Sequence, residues 1–330
     1  MAIKKANELD FSNKKVAMLI CGAPGVGKST IALSAPRPLL IDIDEGVDRV
    51  EACYRNDTLT YDSNLSGIEK WNIINNDLRN EDLSSYDTII IDTLGKLVDI
   101  LTPVVIKENS INGQKDGHTL SLKGYGAVGV KIRDFIKFIH SLGKHVVFIS
   151  HVTETQDGEI TKVRLNITGS TKDNIWKDID LGGYVEIVGK KRIINFTPNE
   201  RYYAKGTHGI TGSYEIPTLK STNDGGRNQD NNFLTKLFEV YVADIQNTQK
   251  KYTNDKEIYD EAIKLVKVVN ESQNIDELNK AVDLIKETKH ALSSREELLV
   301  HVGNKAKELG AFYDKEAKCY VAATENNAEV

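Results

Sequence analysis

Eight residues near the start of the chain have the types and the spacing of a phosphate-binding loop. The segment Gly22-Ala-Pro-Gly-Val-Gly-Lys28-Ser29 fits the pattern G-x-x-x-x-G-K-[ST], follows a predicted strand and opens a predicted helix. Glycines in such a loop let the backbone turn its N–H groups onto a phosphate, and the dipole of the following helix adds to the attraction. Lys28 would then bridge the β- and γ-phosphates, and the Ser29 hydroxyl would ligate Mg²⁺. The motif therefore predicts a site for ATP and Mg²⁺ built from Gly22, Ala23, Pro24, Gly25, Val26, Gly27, Lys28, Ser29 and Thr30.

A phosphate loop also needs a carboxylate at the end of a neighbouring strand to hold the Mg²⁺ shell. The segment TIIID runs four apolar or β-branched residues into Asp92, which we predict as the second metal residue beside Ser29. The residue directly after Asp92 could carry the carboxylate that activates the attacking water, but this residue is Thr93. The catalytic carboxylate must therefore come from elsewhere. The strand after the phosphate loop ends in two candidates: Asp44 has the expected strand position, and Glu45 reaches further. The sequence leaves the choice between Asp44 and Glu45 open.

The elements that must position these residues follow from the apolar pattern. Short runs rich in β-branched residues predict the four strands of a buried parallel sheet at residues 16–20, 39–43, 88–91 and 146–149. Apolar residues at helical spacing predict helices over about 94–107 and 125–142. After residue 151 the chain has segments of alternating residues that are separated by turns. This pattern predicts hairpins that extend the sheet at residues 159–167, 183–188 and 192–196. The fold class is therefore α/β, with a mainly parallel sheet extended by hairpins.

The second half of the chain predicts a separate helical region. Residues 218–232 have one large aliphatic residue and many Asn, Asp and Gly, which is typical of a linker or mobile loop. From residue 254 onward the spacing of apolar residues predicts three amphipathic helices. We therefore predict an ATPase core over residues 1–217, a linker and connecting segment over 218–253, and a small C-terminal helical region over 254–330. A core that ends at this linker should stay soluble after truncation near Asn223.

Composition excludes several classes of protein. The 330 residues carry 43 basic and 48 acidic side chains, a net charge of −5, and 40% of them are hydrophobic. These values exclude wholesale disorder and a histone-like protein that holds nucleic acid by bulk charge. Cys21, Cys53 and Cys319 are too widely spaced for a metal pair or a disulfide framework. The first 15 residues lack a signal-like apolar stretch, and no apolar run approaches the ~18 residues of a membrane span. We expect a soluble cytoplasmic protein with no membrane partner.

Together these segments resemble the phage RecA-like ATPases of the AAA_24 type, which include the Sak-type single-strand annealing proteins. The resemblance spans roughly residues 14–217. It rests on Cys21–Ser29, on Tyr86–Thr93 and on Val146–His151. Its most specific part is a short helix after the phosphate loop, which closes with Ala35-Pro-Arg-Pro38 and leads straight into the strand LLIDIDEG. The resemblance implies a RecA-like P-loop NTPase core. The sequence Asp-Ile-Asp-Glu-Gly departs from the simpler Asp-x-Glu-Gly expected there, which adds to the ambiguity of the catalytic acid.

The resemblance implies a protein of phage DNA recombination in the cytoplasm of the infected host cell. Such a protein binds and slowly hydrolyses ATP, is stimulated by DNA, binds single-stranded DNA, promotes annealing and assembles as a homo-oligomeric ring or filament. A single-strand-binding or other replication protein is a further candidate partner. RecA-type relatives keep a polar residue at the end of the fourth strand that senses the γ-phosphate, a position held here by Ser150 and His151. The expected catalytic residues are Lys28, Asp44, Glu45, Asp92 and His151.

RecA-type proteins also keep DNA-binding loops at two positions after the third strand. Residues 103–145 have seven basic and three acidic side chains, a net charge of +4 in an acidic chain, and they contain the loop 109–126. The hairpin 153–170 matches the second DNA loop in position. A solvated helix face beside a mobile loop would have the same composition. The predicted DNA-binding residues of the two loops are Lys115, His118, Lys123, Tyr125, Lys162 and Arg164.

In RecA-like assemblies a basic residue of the neighbouring subunit completes the nucleotide site. Arg201 and Lys205 follow a predicted strand and are the candidates for this trans finger, unless they are ordinary surface charges. The main alternative function is a nucleotide-switched binding module, a replication accessory or regulatory protein without direct DNA activity. A small-molecule kinase is disfavoured because no lid-like Arg-rich segment follows the core.

Overall fold

A computed structural model describes residues 3–169 and 171–322 of the chain. These residues form two compact units. The larger unit comprises residues 12–244, and the smaller unit comprises residues 3–11 together with 245–322. Among the helices described, none is long and apolar enough to cross a membrane.

The larger unit alternates strands and helices as the sequence predicts. In chain order its elements are β1 (Ala17–Gly22), α1 (Lys28–Ala32), β2 (Pro38–Asp42), β3 (Thr58–Leu59), α2 (Gly67–Asn80), β4 (Thr88–Asp92), α3 (Leu94–Glu108), α4 (Leu122–Ser141), β5 (His145–Asp157), β6 (Ile160–Leu165), α5 (Thr171–Asp178), β7 (Leu181–Val188), β8 (Lys191–Asn195) and β9 (Ser213–Ile216). Helix α6 (Phe233–Ile263) begins in the larger unit and ends in the smaller.

One sheet runs through the larger unit in the order β3-β2-β4-β5-β1-β7-β8-β9, with β6 paired to the outer part of β5. The strands from β3 to β7 are parallel, whereas β8, β9 and β6 are antiparallel to their neighbours. Strand β5 therefore separates β1, which carries the phosphate loop, from β4, which ends at Asp92. The parallel strands end at one edge of the sheet, where open α/β folds bind their ligands. This mixed sheet confirms the predicted fold class, a P-loop core extended by hairpins.

Burial explains why the strand predictions are met. All residues of β1 and β4 are buried, since helices cover both faces of the parallel sheet. The apolar positions of α4 are buried as their spacing predicts, at Val128, Ile132, Phe135, Ile136 and Ile139. Helix α2 and the two-residue strand β3 were not predicted from the sequence. Few of the residues of α2 are fully buried, which leaves a weak apolar stripe.

The segment predicted as a linker is bound to the core. The hydroxyl of the buried Tyr54 donates to Asn228 Oδ1 (2.7 Å) and accepts from the N–H of Asn228 (3.2 Å). Helix α6 then begins at Phe233, where Leu234 N donates to Ser34 Oγ (2.9 Å), and its first turns bury Leu234, Leu237, Phe238 and Tyr241. These hydrogen bonds join residues that lie more than 150 positions apart in the sequence, and they leave no apolar periodicity in the segment. For this reason the composition of the segment resembled that of a linker.

The smaller unit is mainly helical. It contains the end of α6 followed by α7 (Leu265–Glu271), α8 (Ile275–Glu287), α9 (Ser294–Glu308), β10 (Ala311–Asp314) and β11 (Cys319–Ala322). Its core buries apolar residues that the spacing predicts, including Ala262, Val269, Leu278, Val282, Ile285, Leu298, Val302 and Ala306. The predicted first helix is divided between α6 and α7, and the hairpin β10–β11 was not predicted.

Candidate functional site

The loop between β1 and α1 has the predicted strand–loop–helix context. Gly22 pairs with Val185 of β7, and a Cβ on Gly22 would lie 2.5 Å from the Val185 carbonyl oxygen, so only glycine fits there. Gly27 precedes α1 with a φ of 86°, a left-handed conformation that favours glycine. Helix α1 has five residues, which confirms the predicted short helix. The loop backbone is thus shaped to turn its N–H groups toward an anion.

Lys28 and Ser29 connect this loop to two neighbouring strands. The Lys28 ammonium donates to the Ala23 carbonyl oxygen (2.8 Å) and lies 3.4 Å from His151 Nδ1. Burial lowers the pKa of Lys28, and the charge of Asp92 opposes this shift. The Ser29 hydroxyl donates to Asp92 Oδ2 (2.6 Å). Two residues that lie 63 positions apart in the sequence therefore meet at hydrogen-bond distance.

Asp92 has the surroundings of a metal-binding carboxylate. It ends β4 and is buried, and it pairs in register with Asp42 of β2. Burial raises the pKa of Asp92 to about 6, and the nearby charge of Asp42 adds to this rise, whereas the hydrogen bond from Ser29 opposes it. A cation at this point would favour the ionised form. The Ser29 hydroxyl and the Asp92 carboxylate therefore fit a Mg²⁺ site, which they would hold together with waters and phosphate oxygens.

Asp42 has a role in the site that the sequence did not predict. Its two carboxylate oxygens accept from Gly46 N (3.0 Å) and Val47 N (2.9 Å). Because these bonds close the turn after β2, Asp42 holds the backbone that carries Asp44 and Glu45. The extra aspartate in Asp-Ile-Asp-Glu-Gly was the available signal, since a buried acid at a strand end usually bonds to backbone N–H groups.

The structure separates the two candidate catalytic acids. The Asp44 carboxylate is one-fifth exposed, and its Oδ2 lies 3.9 Å from His151 Nε2 and 3.7 Å from Arg49 Nη1. Glu45 is exposed, and its backbone has a φ of 53°, in the left-handed region. Asp44 lies beside His151, which contacts Lys28, and no such contact is seen for Glu45 among the described residues. Geometry thus favours Asp44, and its role in hydrolysis stays a prediction.

His151 joins the two halves of the site. Strand β5 places it in register with Gly22, and its ring lies between the Lys28 ammonium and the Asp44 carboxylate. Burial lowers the pKa of His151, and the charge of Lys28 lowers it further. Because a lysine ammonium can only donate, Nδ1 is the acceptor of this contact, and the other ring nitrogen, Nε2, faces Asp44. Strand β5 continues past His151 to Asp157, so the same strand forms one arm of the hairpin with β6.

Two cavities adjoin Asp44. One of about 270 Å³ is lined by Asp44, His151 and Asn166 among others, and the second, of about 390 Å³, extends to Glu45 and Lys70. Both are lined by Lys96 and Asp99 of α3, which no sequence motif indicated. Water can therefore reach the partly exposed Asp44 carboxylate through these cavities.

The predicted first DNA loop is shorter than expected. Helix α4 begins at Leu122, so Lys123 and Tyr125 lie in its first turn. The Tyr125 ring is half-buried and packs against Gly169, where an added Cβ would lie 2.1 Å from Tyr125 Cδ1. This contact removes Tyr125 as a free stacking platform. Lys115 and His118 are exposed in the loop, as predicted.

Most basic side chains near the two predicted DNA loops have partners in the same chain. Lys131 pairs with Glu108, Arg133 with Asp178, Lys137 with Asp134 and Lys162 with Asp157. The Arg164 guanidinium lies over the Tyr203 ring (4.4 Å to its centroid) and donates to the Arg201 carbonyl oxygen. Lys115 and Lys123 are exposed and form no ion pair with any residue that the structure describes.

The two candidates for a trans finger differ in their surroundings. The Lys205 ammonium donates to the carbonyl oxygens of Trp176 and Ile179 at the end of α5, so it is used within its own chain. The assignment of Lys205 as a trans finger is therefore not supported. Arg201 is exposed and pairs with Glu154 (3.0 Å), and its role toward a neighbouring subunit stays a prediction.

The family model AAA_24, an AAA domain, matches residues 14–208, which include the phosphate loop, Asp44, Asp92 and His151. No curated protein matches the sequence. Among solved structures, a prototypical ATPase from the type III secretion system of pathogenic bacteria is similar at 12% identity with a TM-score of 0.36. That similarity spans about half of each chain, 52% of this one and 51% of the other.

Proposed function

Because the chain belongs to the AAA_24 family, with an AAA-type ATPase domain, we propose that it is a Mg²⁺-dependent ATPase that acts on single-stranded DNA in phage recombination. One observation supports the ATPase activity in particular. Lys28 contacts Ala23 of the phosphate loop and His151, and His151 in turn lies beside Asp44. These contacts join a phosphate loop to a carboxylate that water can reach.

In this proposal each residue has a defined part in hydrolysis. Water attacks the γ-phosphorus, the bond to the bridging β–γ oxygen breaks, and Asp44 accepts the proton that the water loses. Lys28 stabilises the negative charge that develops on the transferred phosphoryl group. Ser29 and Asp92 would hold Mg²⁺, which supplies further charge neutralisation when bound. His151 positions the Asp44 and Lys28 side chains relative to each other, with one ring nitrogen facing each of them.

Strand β5 supports a link between the nucleotide and a second ligand. A change in the position of His151 acts directly on the strand that continues into the β5–β6 hairpin. Exposed Lys115 and Lys123 supply cations that are free of ion pairs with the described residues, which suits a phosphate backbone. A homo-oligomeric ring or filament, with Arg201 reaching toward a neighbour, is part of the same proposal.

A specific observation favours the nucleotide-switched binding module as the second candidate. Leu122 is 93% exposed and Ile111 is 52% exposed, and both lie close to the same lysines in the sequence. Exposed apolar side chains of this size are typical of surfaces that bind proteins. A protein partner would bury them, whereas a DNA backbone would not.

ATP turnover with and without single-stranded DNA separates the two candidates. Stimulation supports the recombination ATPase, and unchanged turnover supports the binding module. Direct binding gives the sharper test, because each lysine that contacts a phosphate contributes a log–log salt slope of about −0.7 on single strands.

We expect Lys115→Ala/Lys123→Ala to flatten the slope for a labelled oligonucleotide by about 1.4, since two contacts are lost. The measurement is fluorescence anisotropy over a salt series with ATP present. Lys137→Ala is the matched control, because Lys137 is exposed but pairs with Asp134 (3.8 Å). No binding by the wild type at low salt would remove the DNA proposal.

A further inference from the structure

Arg192 lies against the phosphate loop, although no sequence motif indicates it. It belongs to β8, and its guanidinium Nη1 lies 2.4 Å from the point that a Cβ on Gly27 would occupy. Its Nη2 donates to the Pro217 carbonyl oxygen (3.0 Å). One half of the guanidinium is thus anchored, and the other half lies over the loop immediately before Lys28.

The order of the strands places Arg192 at one particular end of the site. Asp92, Asp44 and His151 come from β4, the turn after β2, and β5, which all lie on one side of β1. Strands β7 and β8 lie on the other side of β1. A polyphosphate whose terminal phosphate lies near Asp44 and His151 must therefore direct its nucleoside end toward β8 and Arg192.

The charge around Arg192 is uncompensated. The neighbouring Lys191 pairs with Glu215 (2.6 Å), whereas no carboxylate in the described residues forms an ion pair with Arg192. Asp230 lines the same small cleft as Arg192 without pairing with it. A half-buried guanidinium with a free edge has the geometry that binds phosphate oxygens through two parallel hydrogen bonds.

The chain after Pro217 closes this end of the site. Asn231 Nδ2 donates to the Thr30 carbonyl oxygen (2.9 Å), which connects the closing segment to α1. Pro217, Asn231 and Phe233 line the cleft beside Thr30 and Arg192. Arg192 is therefore held between the phosphate loop and a segment that follows the last strand of the sheet.

We propose that Arg192 is a phosphate-binding residue of the same subunit that contacts the phosphates nearest the nucleoside, which ADP and ATP share. This proposal rests on the ATPase function proposed above. Lys28 and the metal residues lie toward the terminal phosphate, and Arg192 supplies the cation at the opposite end. It would hold ADP after hydrolysis as firmly as it holds ATP before.

The test compares the affinities of Arg192→Ala for ADP, ATP and inorganic pyrophosphate by titration calorimetry with Mg²⁺ present. A hydrogen bond to a charged group contributes about 1.5–3 kcal/mol, so we expect all three affinities to fall by roughly 10- to 150-fold. Arg192→Lys should recover only part of the loss, because an ammonium cannot form the paired contact. Lys191→Ala is the control on the same strand and should leave the three affinities unchanged.

Several results would overturn the proposal. Affinities of Arg192→Ala and Arg192→Lys within twofold of the wild type would show that the guanidinium only packs on the loop. A loss for ADP and ATP but not for pyrophosphate would place Arg192 at the nucleoside, and a loss for ATP alone would place it at the terminal phosphate. Failure of the ATPase function is distinct, since the wild type would then release no phosphate from ATP, whereas the comparison of affinities tests Arg192 directly.

Discussion

Replacing Asp44 by Asn tests the assignment of the catalytic acid. Asparagine keeps the size of the side chain but cannot accept the proton of the attacking water. General base catalysis contributes about 10²- to 10⁴-fold to turnover. We therefore expect Asp44→Asn to lower kcat by that factor, which corresponds to a rise of about 2.7–5.4 kcal/mol in the activation free energy.

The fold should tolerate this change. The Asp44 carboxylate is partly exposed and makes only the longer contacts to Arg49 (3.7 Å) and His151 (3.9 Å). Exposed ion pairs of this kind contribute about 1 kcal/mol or less to the free energy of unfolding. The affinity for ADP should also be unchanged, because the proposed function places Asp44 beside the terminal phosphate, which ADP lacks.

The assay is phosphate release at saturating ATP and Mg²⁺, together with ADP binding and the melting temperature of each variant. Glu45→Gln is the matched control, since Glu45 is the next residue and is exposed. We expect Glu45→Gln to stay within about threefold of the wild type, a difference of ~0.7 kcal/mol. The reasoning is refuted if Glu45→Gln loses as much turnover as Asp44→Asn, or if Asp44→Asn stays within threefold of the wild type.

Three further predictions follow from the structure. Asp92→Asn should raise the Mg²⁺ concentration needed for half-maximal ATP binding by at least about tenfold, about 1.4 kcal/mol, because the carboxylate beside Ser29 is lost; an unchanged Mg²⁺ titration would contradict the metal assignment. A fragment of residues 12–222 should aggregate on size-exclusion chromatography, whereas a fragment of residues 12–244 should stay soluble. The reason is that burial of the four large side chains at the start of α6 contributes roughly 6–12 kcal/mol to the free energy of unfolding. Equal behaviour of the two fragments would contradict this expectation. Burial lowers the pKa of His145 to about 4, so the folded state disfavours the protonated ring. Stability should be fully present above pH ~6.5 and fall as the pH drops toward 4, at up to about 1.4 kcal/mol per pH unit. Melting curves of His145→Gln should show a shallower pH dependence; the same slope as the wild type would exclude His145 as the cause.

Local sequence was enough to predict the phosphate loop and the four parallel strands. A phosphate loop needs glycines and a lysine at fixed spacing, so its pattern is contained in eight consecutive residues. A strand buried on both faces needs a continuous apolar run, which β1 and β4 show directly. The loop and the strands are each determined by residues that are adjacent in the sequence, and the fold class follows from the order of these elements along the chain.

The choice between Asp44 and Glu45 needed the tertiary structure, because both residues suit the chemistry. The backbone turn closed by Asp42, and the approach of His151 from another strand, distinguish them. Neither contact lies within a local pattern.

The same reason explains Arg192, Lys205 and the segment after Pro217. Their roles depend on hydrogen bonds to backbone oxygens 25 or more residues away, or on contact with a glycine more than 160 residues away. Polar contacts of this range leave no periodicity in the sequence. A basic or Asn-rich segment therefore has the same composition whether it binds a ligand, closes a site or remains in solvent, and only the packing of the whole chain separates these cases.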